Sequence, residues 1–185
     1  MSQNAPHRRT ARRLTSWAAV LAVVAVACSG GSDGITSQGQ AEAISEGAGE
    51  PTPSVSFALF DGTETTLASF NGTPVVLNFW ASWCPSCVAE MSAAFRPVEQ
   101  QLGDRVAFLG MNIQDDRESA LRLLEETGVQ WISAEDPAGS LYLELGGIAM
   151  PFTVFISAEG RIVDKHNGPL TEGQLRDRIT ESFGA

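Results

Sequence analysis

A pair of cysteines placed between an apolar segment and a helix pattern constrains this chain more than any other feature of its sequence. Residues 75–80, VVLNFW, form a nearly unbroken apolar run, which fits a strand buried on both faces of a sheet. Residues 83–87, WCPSC, follow, and a helix is predicted from about Pro85 to Gln101, bent by Pro97. The first sulfur of such a pair lies at a helix N-terminus, where unpaired N–H groups and the helix dipole stabilise a thiolate.

The spacing of the cysteines assigns a role to each of them. Two residues separate Cys84 from Cys87, so the second sulfur meets the first within one helical turn. Cys84 is therefore predicted to be the exposed nucleophile, and Cys87 is predicted to resolve a mixed disulfide. A structural disulfide is the alternative, which the strand–helix junction disfavours. A zinc site is weaker still, because there is no second CxxC motif and His166 is the one histidine of the predicted mature chain.

The first 28 residues have the pattern of an export signal. Four arginines, at positions 8, 9, 12 and 13, precede an apolar run over residues 17–27 that ends in small residues. The run is shorter than the about 20 residues of a spanning helix, so a transmembrane anchor is the weaker interpretation. Residues 25–28, AVAC, resemble the lipobox of bacterial lipoproteins, although Ala25 stands where that motif favours Leu. This resemblance predicts lipidation of Cys28, and cleavage near Ala27 without lipidation is the alternative.

The composition changes after the export signal. Residues 29–54 are rich in Gly, Ser, Gln, Glu and Ala and are predicted to be a flexible linker with a reach of roughly 25–30 Å. Residues 55–185 are predicted to form one folded domain. The formal net charge is −10, and every acidic residue follows residue 28. So acidic a surface repels phosphate backbones, and we expect no binding of nucleic acid.

Apolar runs and helix signals alternate along the predicted domain. The element order is predicted as β, β, α, β, α, short α, β, β, α, which implies a mixed sheet with helices on its faces. Strands are predicted at residues 55–60, 75–80, 106–113, 152–156 and 161–166, the last two as a hairpin.

Three further helices are predicted from their end signals and periodicity. The helix over residues 118–127 is predicted to place Leu121, Leu124 and the following Val129 on one side. Asp136-Pro137 predicts the start of a short helix that ends near residue 145. Residues 171–174, TEGQ, predict a capping box for the last helix.

Residues 75–90, VVLNFWASWCPSCVAE, resemble the thioredoxin superfamily and, within it, the membrane-tethered TlpA/ResA/CcmG branch. GMNIQDD at residues 110–116 and GGIAMPFTVFISAEGRIV at residues 146–163 resemble two further segments of that branch. The resemblance covers nearly all of residues 55–183. It implies an α/β, thioredoxin-like fold with a mixed central sheet and helices on both faces, and the activity of a thiol–disulfide oxidoreductase.

The same resemblance implies further site residues. Met150–Pro151 is expected to be a cis peptide bond that faces the cysteines and leaves the backbone of Met150 free to pair with a substrate strand. Glu90 lies three residues after Cys87 and is expected on the same helical face, where it tunes the thiol pKa values or accepts the Cys87 proton. An ordinary solvated residue is the alternative for Glu90. Besides Met150, the residues expected to bind substrate are Trp83, Pro85 and Ser86.

Two positions of the domain depart from the family patterns. Asn78 stands six residues before the nucleophile, where thioredoxins carry a buried Asp, and an amide cannot accept a proton near neutral pH. Ser92 stands where members of the branch often have Pro, which affects the bend of the helix but not the redox centre.

The resemblance implies a reductant of disulfides in exported proteins, as in the branch members of cytochrome c maturation. A membrane thiol–disulfide carrier is the expected electron donor, and no metal or cofactor beyond the Cys84–Cys87 disulfide is expected. The expected location is extracytoplasmic, anchored to the bacterial cell membrane through Cys28, or alternatively secreted. An oxidant that forms disulfides stays open, because potentials of CxxC proteins differ by ~150 mV and Pro85-Ser86 does not decide between them.

Two alternatives come from other functional classes. A peroxiredoxin-like peroxidase uses a lone cysteine with Thr three residues before it, and here Ala81 holds that place. Copper chaperones of this superfamily use a wider cysteine spacing with a distant histidine, for which His166 is the candidate. The sequence does not identify the substrate, the redox partner or the oligomeric state.

Overall fold

The computed structural model describes residues 49–185. The predicted signal peptide, Cys28 and most of the predicted linker lie outside these described residues. The strands are β1 (Glu50–Pro51), β2 (Ser56–Leu59), β3 (Glu64–Thr66), β4 (Val75–Trp80), β5 (Ala107–Ile113), β6 (Ile132–Asp136), β7 (Phe152–Ile156) and β8 (Arg161–Asn167). They form a mixed sheet in the order β1-β8-β7-β4-β5-β6-β2-β3.

The helices connect these strands and cover the sheet. They are α1 (Pro85–Glu90), α2 (Arg96–Leu102), α3 (Arg117–Thr127), α4 (Ser140–Glu144) and α5 (Glu172–Phe183), with a 3-10 turn at Leu67–Phe70 and a π-helical turn at Met91–Phe95. None of the helices within residues 49–185 has the length and apolar character needed to cross a membrane.

The central strand β4 runs parallel to β5 and antiparallel to β7. All of its residues are buried, because helices cover both faces of the sheet. Val76 and Trp80 pack in a cluster with residues of α1, α2, α3 and α5. Val75, Leu77 and Phe79 point to the opposite face and pack with residues of α4. The predicted mixed sheet with helices on both faces is confirmed.

The helix predicted after the cysteines is present as α1 and α2, joined by the π-helical turn. The N–H of Arg96 donates to the carbonyl of Met91, five residues earlier. Pro97 has no N–H, and in a regular α-helix its ring would collide with the carbonyl of Ala93. The wider turn just before Pro97 accommodates the proline, so the irregularity lies one turn earlier than predicted.

Three short strands, β1, β3 and β6, are missing from the predicted order. β1 pairs antiparallel with β8, in the register Glu50 to Ile162 and Pro51 to Arg161. Residues 50–51 lie in the predicted linker, yet they pair with the sheet, so the sheet extends beyond the boundary predicted at residue 55. β3 pairs with β2, and β6 lies between β5 and β2. These segments are too short to show a periodicity of their own.

The start predicted for the short helix at Asp136-Pro137 is wrong. Asp136 is the last residue of β6, and α4 starts at Ser140. The Asp136 carboxylate nevertheless accepts the N–H groups of Ser140 and Tyr142, at 2.9 and 3.0 Å. A turn with Gly139 at φ 71° separates the two elements, so Asp136 caps the helix across this turn and not from the N-cap position.

The buried side of α3 also differs from the prediction. Leu121 is 45% exposed, and the buried residues of the helix are Ala120, Leu123 and Thr127. Leu124 is half-buried, and Val129 is buried as predicted. The leucine spacing predicts the helix correctly, but the neighbouring elements decide which side is covered.

Two predicted local structures near the end of the chain are confirmed. β7 and β8 form the expected antiparallel hairpin. Thr171 is the N-cap of α5, and its side chain and that of Gln174 make the reciprocal hydrogen bonds of a capping box.

Candidate active site

The cysteines lie on the turn that connects the central strand to the first helix. The turn is closed by a 3.1 Å hydrogen bond from the N–H of Cys84 to the carbonyl of Ala81. Cys84 is the N-cap of α1, and Pro85 is the first residue of the helix, a position that needs no N–H donor. Cys84 and Cys87 form a disulfide, with 5.3 Å between their Cα atoms. The disulfide and its place at the strand–helix junction are those that the sequence predicts.

The two sulfurs have different surroundings. Cys84 is 5% exposed, whereas Cys87 is fully buried. Cys84 is therefore less exposed than predicted, but it is the one of the pair that reaches the surface. The N–H of Cys87 donates to Cys84 Sγ over 3.3 Å, and Ser86 Oγ lies 3.4 Å from the same sulfur. After reduction, a donor at this place stabilises a thiolate on Cys84.

The residues beside Cys84 form a partly apolar surface around it. Trp83 is 57% exposed, and its indole N–H donates to the carbonyl of Gln114 over 3.0 Å. Pro85 is exposed and Ser86 is half-buried. These positions are accessible to a substrate chain, and their role in substrate binding stays a prediction.

Glu90 is a buried carboxylic acid on the same helix as the cysteines. It is 3% exposed, so the alternative of a solvated residue is wrong. Its carboxylate accepts the N–H of Leu170 at 2.6 Å and Nδ2 of Asn78 at 3.2 Å. Burial raises the pKa of Glu90 to about 7, against the lowering effect of these two hydrogen bonds. A carboxyl group with this pKa takes up and releases a proton near neutral pH, as acceptance of the proton from the Cys87 thiol requires.

Asn78 connects Glu90 to the sheet. Its Nδ2 also donates to Thr153 Oγ1 of β7, at 3.1 Å. Its Oδ1 is buried and has no partner among the described residues. Asn78, which replaces the buried Asp of thioredoxins, therefore serves as a donor that orients the Glu90 carboxylate.

The Met150–Pro151 peptide bond is cis, as predicted. Met150 is half-buried and packs against the cluster that contains Cys84 and Cys87. The loop before it is held by Asn167, whose Oδ1 accepts the N–H groups of Ile148 and Ala149 at 3.0 and 3.2 Å. Contact of Met150 and Pro151 with the two sulfurs and the pairing of the Met150 backbone with a substrate stay predictions.

One carboxylate near the cysteine turn has no role in the sequence-based prediction. Asp115 follows β5 and accepts two hydrogen bonds from Ser82, one from its backbone N–H and one from its hydroxyl. Ser82 and Asp115 are 33 residues apart. The segment GMNIQDD points to this region, but nothing in it indicates the contact with Ser82.

His166 lies in β8, opposite Thr153 of β7. Its Nδ1 is 3.2 Å from the guanidinium of Arg178, which also contacts the carboxylate of Asp164. A cation beside this ring nitrogen opposes the binding of a metal ion there, which weighs against the copper-chaperone alternative.

Comparison with known proteins agrees with the geometry of this site. A family model described as Redoxin matches residues 47–181 of the chain. The thiol:disulfide interchange protein DsbE of Pseudomonas fluorescens biotype C is 35% identical to the chain over 148 residues, which are 78% of this chain and 80% of the relative.

Solved structures show the same fold. MTB dsbF, solved in mixed oxidized and reduced forms, has a TM-score of 0.63 and 26% sequence identity, with 69% of this chain and 94% of that chain covered. A secreted Mycobacterium tuberculosis disulfide oxidoreductase homologous to E. coli DsbE has a TM-score of 0.62 and 24% identity, with 69% and 96% covered. The latter likeness supports the fold alone.

Proposed function

This chain belongs to the Redoxin family of the thioredoxin superfamily and is a thiol–disulfide oxidoreductase, and we propose that it reduces disulfides of exported proteins through Cys84 and Cys87. The observation that carries the proposal is the disulfide at the start of α1, with Cys84 partly accessible and its sulfur facing the N–H of Cys87. The cysteine pair carries the electrons, without a further cofactor. By its likeness to DsbE proteins, the role is of the cytochrome c maturation type.

The reaction proceeds through a mixed disulfide. In the reduced protein, the Cys84 thiolate attacks one sulfur of a substrate disulfide, and the other substrate sulfur leaves as a thiolate and is protonated. Cys87 then loses its proton, attacks the Cys84 sulfur and releases the second substrate thiol. The substrate gains two electrons and two protons, and the protein ends with the Cys84–Cys87 disulfide.

The buried carboxylate favours the reductant over the oxidant. Glu90 lies three residues after Cys87 on one helical face. When ionised, it repels a thiolate nearby and raises the thiol pKa. Strong oxidants of this fold owe their potential to a stabilised reduced form, so a group that destabilises the thiolate makes the cysteine pair more reducing.

The reduction potential of the Cys84–Cys87 couple tests the direction of electron flow. We expect a value near that of thioredoxin, about −270 mV, because Glu90 opposes thiolate formation. The fraction of oxidised protein is measured by thiol alkylation and mass spectrometry after equilibration in glutathione or dithiothreitol buffers. A potential near −120 mV is that of a strong oxidant and would reverse the proposed direction.

The substrates and partners follow from the location of the protein. An extracytoplasmic location fits the likeness to DsbE relatives. Substrates there are exported proteins with disulfides, and a membrane thiol–disulfide carrier restores the dithiol after each turnover. The lipobox-like residues 25–28 support attachment to the bacterial cell membrane through a lipid on Cys28.

Lipid attachment is tested by replacing Cys28. The wild-type protein is expected in the membrane and detergent fractions, and Cys28→Ala is expected to release it or to leave the precursor uncleaved. The mature N-terminus and its mass are determined after purification from cells. An unmodified N-terminus downstream of Cys28 in the wild-type protein rules the anchor out and leaves a secreted protein.

A further inference from the structure

Asp115 is a carboxylate that accepts four hydrogen bonds beside the cysteine turn. Its Oδ2 accepts the N–H of Ser82 at 2.5 Å and Nδ2 of Asn112 at 2.8 Å. Its Oδ1 accepts the hydroxyl of Ser82 at 2.6 Å and the N–H of Asp116 at 2.8 Å. Both oxygens thus have two donors, and two of the four come from the residue that lies two positions before Cys84.

Gln114, which precedes Asp115, contacts Trp83, which follows Ser82 in the cysteine turn. The carbonyl of Gln114 accepts the indole N–H of Trp83. Gln114 has a φ of 48°, a left-handed conformation that is uncommon for residues other than glycine. The loop after β5 therefore makes hydrogen bonds to Ser82 and to Trp83, the two residues that lie between Ala81 and Cys84.

We propose that Asp115 is a positioning residue for Cys84: it fixes Ser82 and the turn so that the Cys84 sulfur faces the N–H of Cys87 at the start of α1. The inference depends only on disulfide exchange at Cys84 and Cys87, and not on the direction of electron flow. Stabilisation of a thiolate by a helix N-terminus falls off within the first turn. A turn that moves at Ser82 displaces the sulfur from the N–H that donates to it.

The charge state of Asp115 agrees with this role. Partial burial raises its pKa, but the hydrogen bonds from Asn112, Ser82 and Asp116 outweigh burial and hold the pKa below its usual value. The side chain is therefore a carboxylate at neutral pH and accepts all four hydrogen bonds. An amide at this position presents N–H groups to some of these donors, so Asp115→Asn loses hydrogen bonds with little change in volume.

The position and the charge of Asp115 have opposite effects on the pKa of the Cys84 thiol. A negative charge near a thiol disfavours the thiolate, so the loss of charge alone would lower the Cys84 pKa and speed its alkylation. Loss of position weakens the contact with the N–H of Cys87, raises the pKa and slows alkylation. The sign of the change in Asp115→Asn therefore separates positioning from a direct effect of charge.

The experiment measures alkylation of Cys84 in the reduced full chain, with Cys28 replaced by Ala, between pH 5 and 9. At pH 7 we expect Asp115→Asn to react at least about threefold more slowly, with its pH profile shifted to higher pH. Asp116→Asn is the matched control, because it removes a neighbouring charge and Asn caps a helix as well as Asp does. Its rate and profile are expected to equal those of the wild-type protein.

Ser82→Ala removes the hydrogen bond from the Ser82 hydroxyl to Asp115 and keeps the one from the backbone N–H. It is expected to slow alkylation in the same direction by a smaller factor, and the double variant should be no slower than Asp115→Asn alone. If Asp115→Asn does not fold, as judged by circular dichroism, Ser82→Ala decides alone. Faster alkylation in these variants, or rates equal to the Asp116→Asn control, overturns the proposal. Because alkylation needs no substrate, a wrong assignment of electron flow does not affect this result.

Discussion

Replacement of Cys84 by serine is expected to abolish the reduction of disulfides, down to the uncatalysed rate. Cys87→Ser is expected to stop the reaction halfway, with the substrate held on Cys84 as a mixed disulfide. The difference arises because Cys84 reaches the surface and its sulfur accepts the N–H of Cys87, whereas Cys87 is fully buried. Insulin reduction measures the first effect, and mass spectrometry under non-reducing conditions detects the trapped adduct.

Cys28→Ala is the control for these variants, because it removes a cysteine outside residues 47–181, which match the family model. It is expected to retain the full rate of insulin reduction. In the reduced protein, iodoacetamide should label Cys84 well before Cys87, as mapped in a proteolytic digest. Preferential labelling of Cys87, or an adduct that forms on Cys84→Ser, would reverse the assignment of nucleophile and resolving cysteine.

The strand–turn–helix unit that carries the cysteines is predictable because its signals are local. Strand β4 is buried on both faces, so its sequence is apolar at nearly every position and does not alternate between apolar and polar residues. Pro85 is allowed at the first position of α1, and a cysteine before it occupies the N-cap. The capping box at Thr171 is equally local. Each of these features depends on residues within one or two turns of one another.

The parts that the sequence did not predict depend on contacts between distant segments. β1 and β6 are strands because β8, β5 and β2 offer them hydrogen bonds, not because of their own composition. The exposed position of Leu121 follows from which side of α3 the sheet and Trp131 cover. A helical periodicity predicts that one side of the helix is buried. Where several leucines lie close together, it does not decide which of two adjacent leucines is on that side.

The candidate site also combines features that the local sequence predicts with features that depend on distant contacts. A motif identifies Cys84, Cys87 and Glu90, but one partner of Glu90, Leu170, lies far along the chain. Leu170 is 80 residues from Glu90, and Asp115 is 33 residues from Ser82. These contacts form only when the sheet assembles, so the burial and the raised pKa of Glu90 are properties of the fold.

Glu90 is expected to make the stability of the oxidised protein depend on pH between about 4.5 and 7. Its pKa is about 7 in the folded protein, against 4.5 for a glutamate exposed to water, as in the unfolded chain. Because the folded state holds this proton more tightly, the associated stabilisation is complete below pH 4.5 and is lost as the pH rises through 7. The shift corresponds to about 3 kcal/mol of unfolding free energy.

Urea denaturation of the wild-type protein and Glu90→Gln from pH 4 to 8 measures this dependence. Glutamine does not ionise, so the stability of Glu90→Gln relative to wild type should rise by about 3 kcal/mol across this range. Its amide keeps an acceptor for the N–H of Leu170, and rotation of the Asn78 amide turns the unpaired Oδ1 toward the new N–H group. Glu99→Gln is the comparison on the neighbouring helix α2, where a half-buried carboxylate accepts the N–H of Gln130 and burial also raises the pKa. Its stability should change with pH in the same direction as that of Glu90→Gln, but by less.

The same variant is expected to slow disulfide exchange, because Glu90 in its ionised form accepts the proton that Cys87 must lose before it attacks Cys84. At pH 7.5 we expect Glu90→Gln to reduce insulin at least about tenfold more slowly than wild type, since a positioned acid or base typically contributes more than this. At pH 5.5, where the wild-type carboxyl is mostly protonated, the two proteins should reduce insulin at more similar rates. Glu99→Gln should follow the wild-type rate at both pH values. A Glu90→Gln rate within twofold of wild type at pH 7.5, together with the expected gain in stability, would show that Glu90 is buried on the cysteine helix but takes no part in proton transfer.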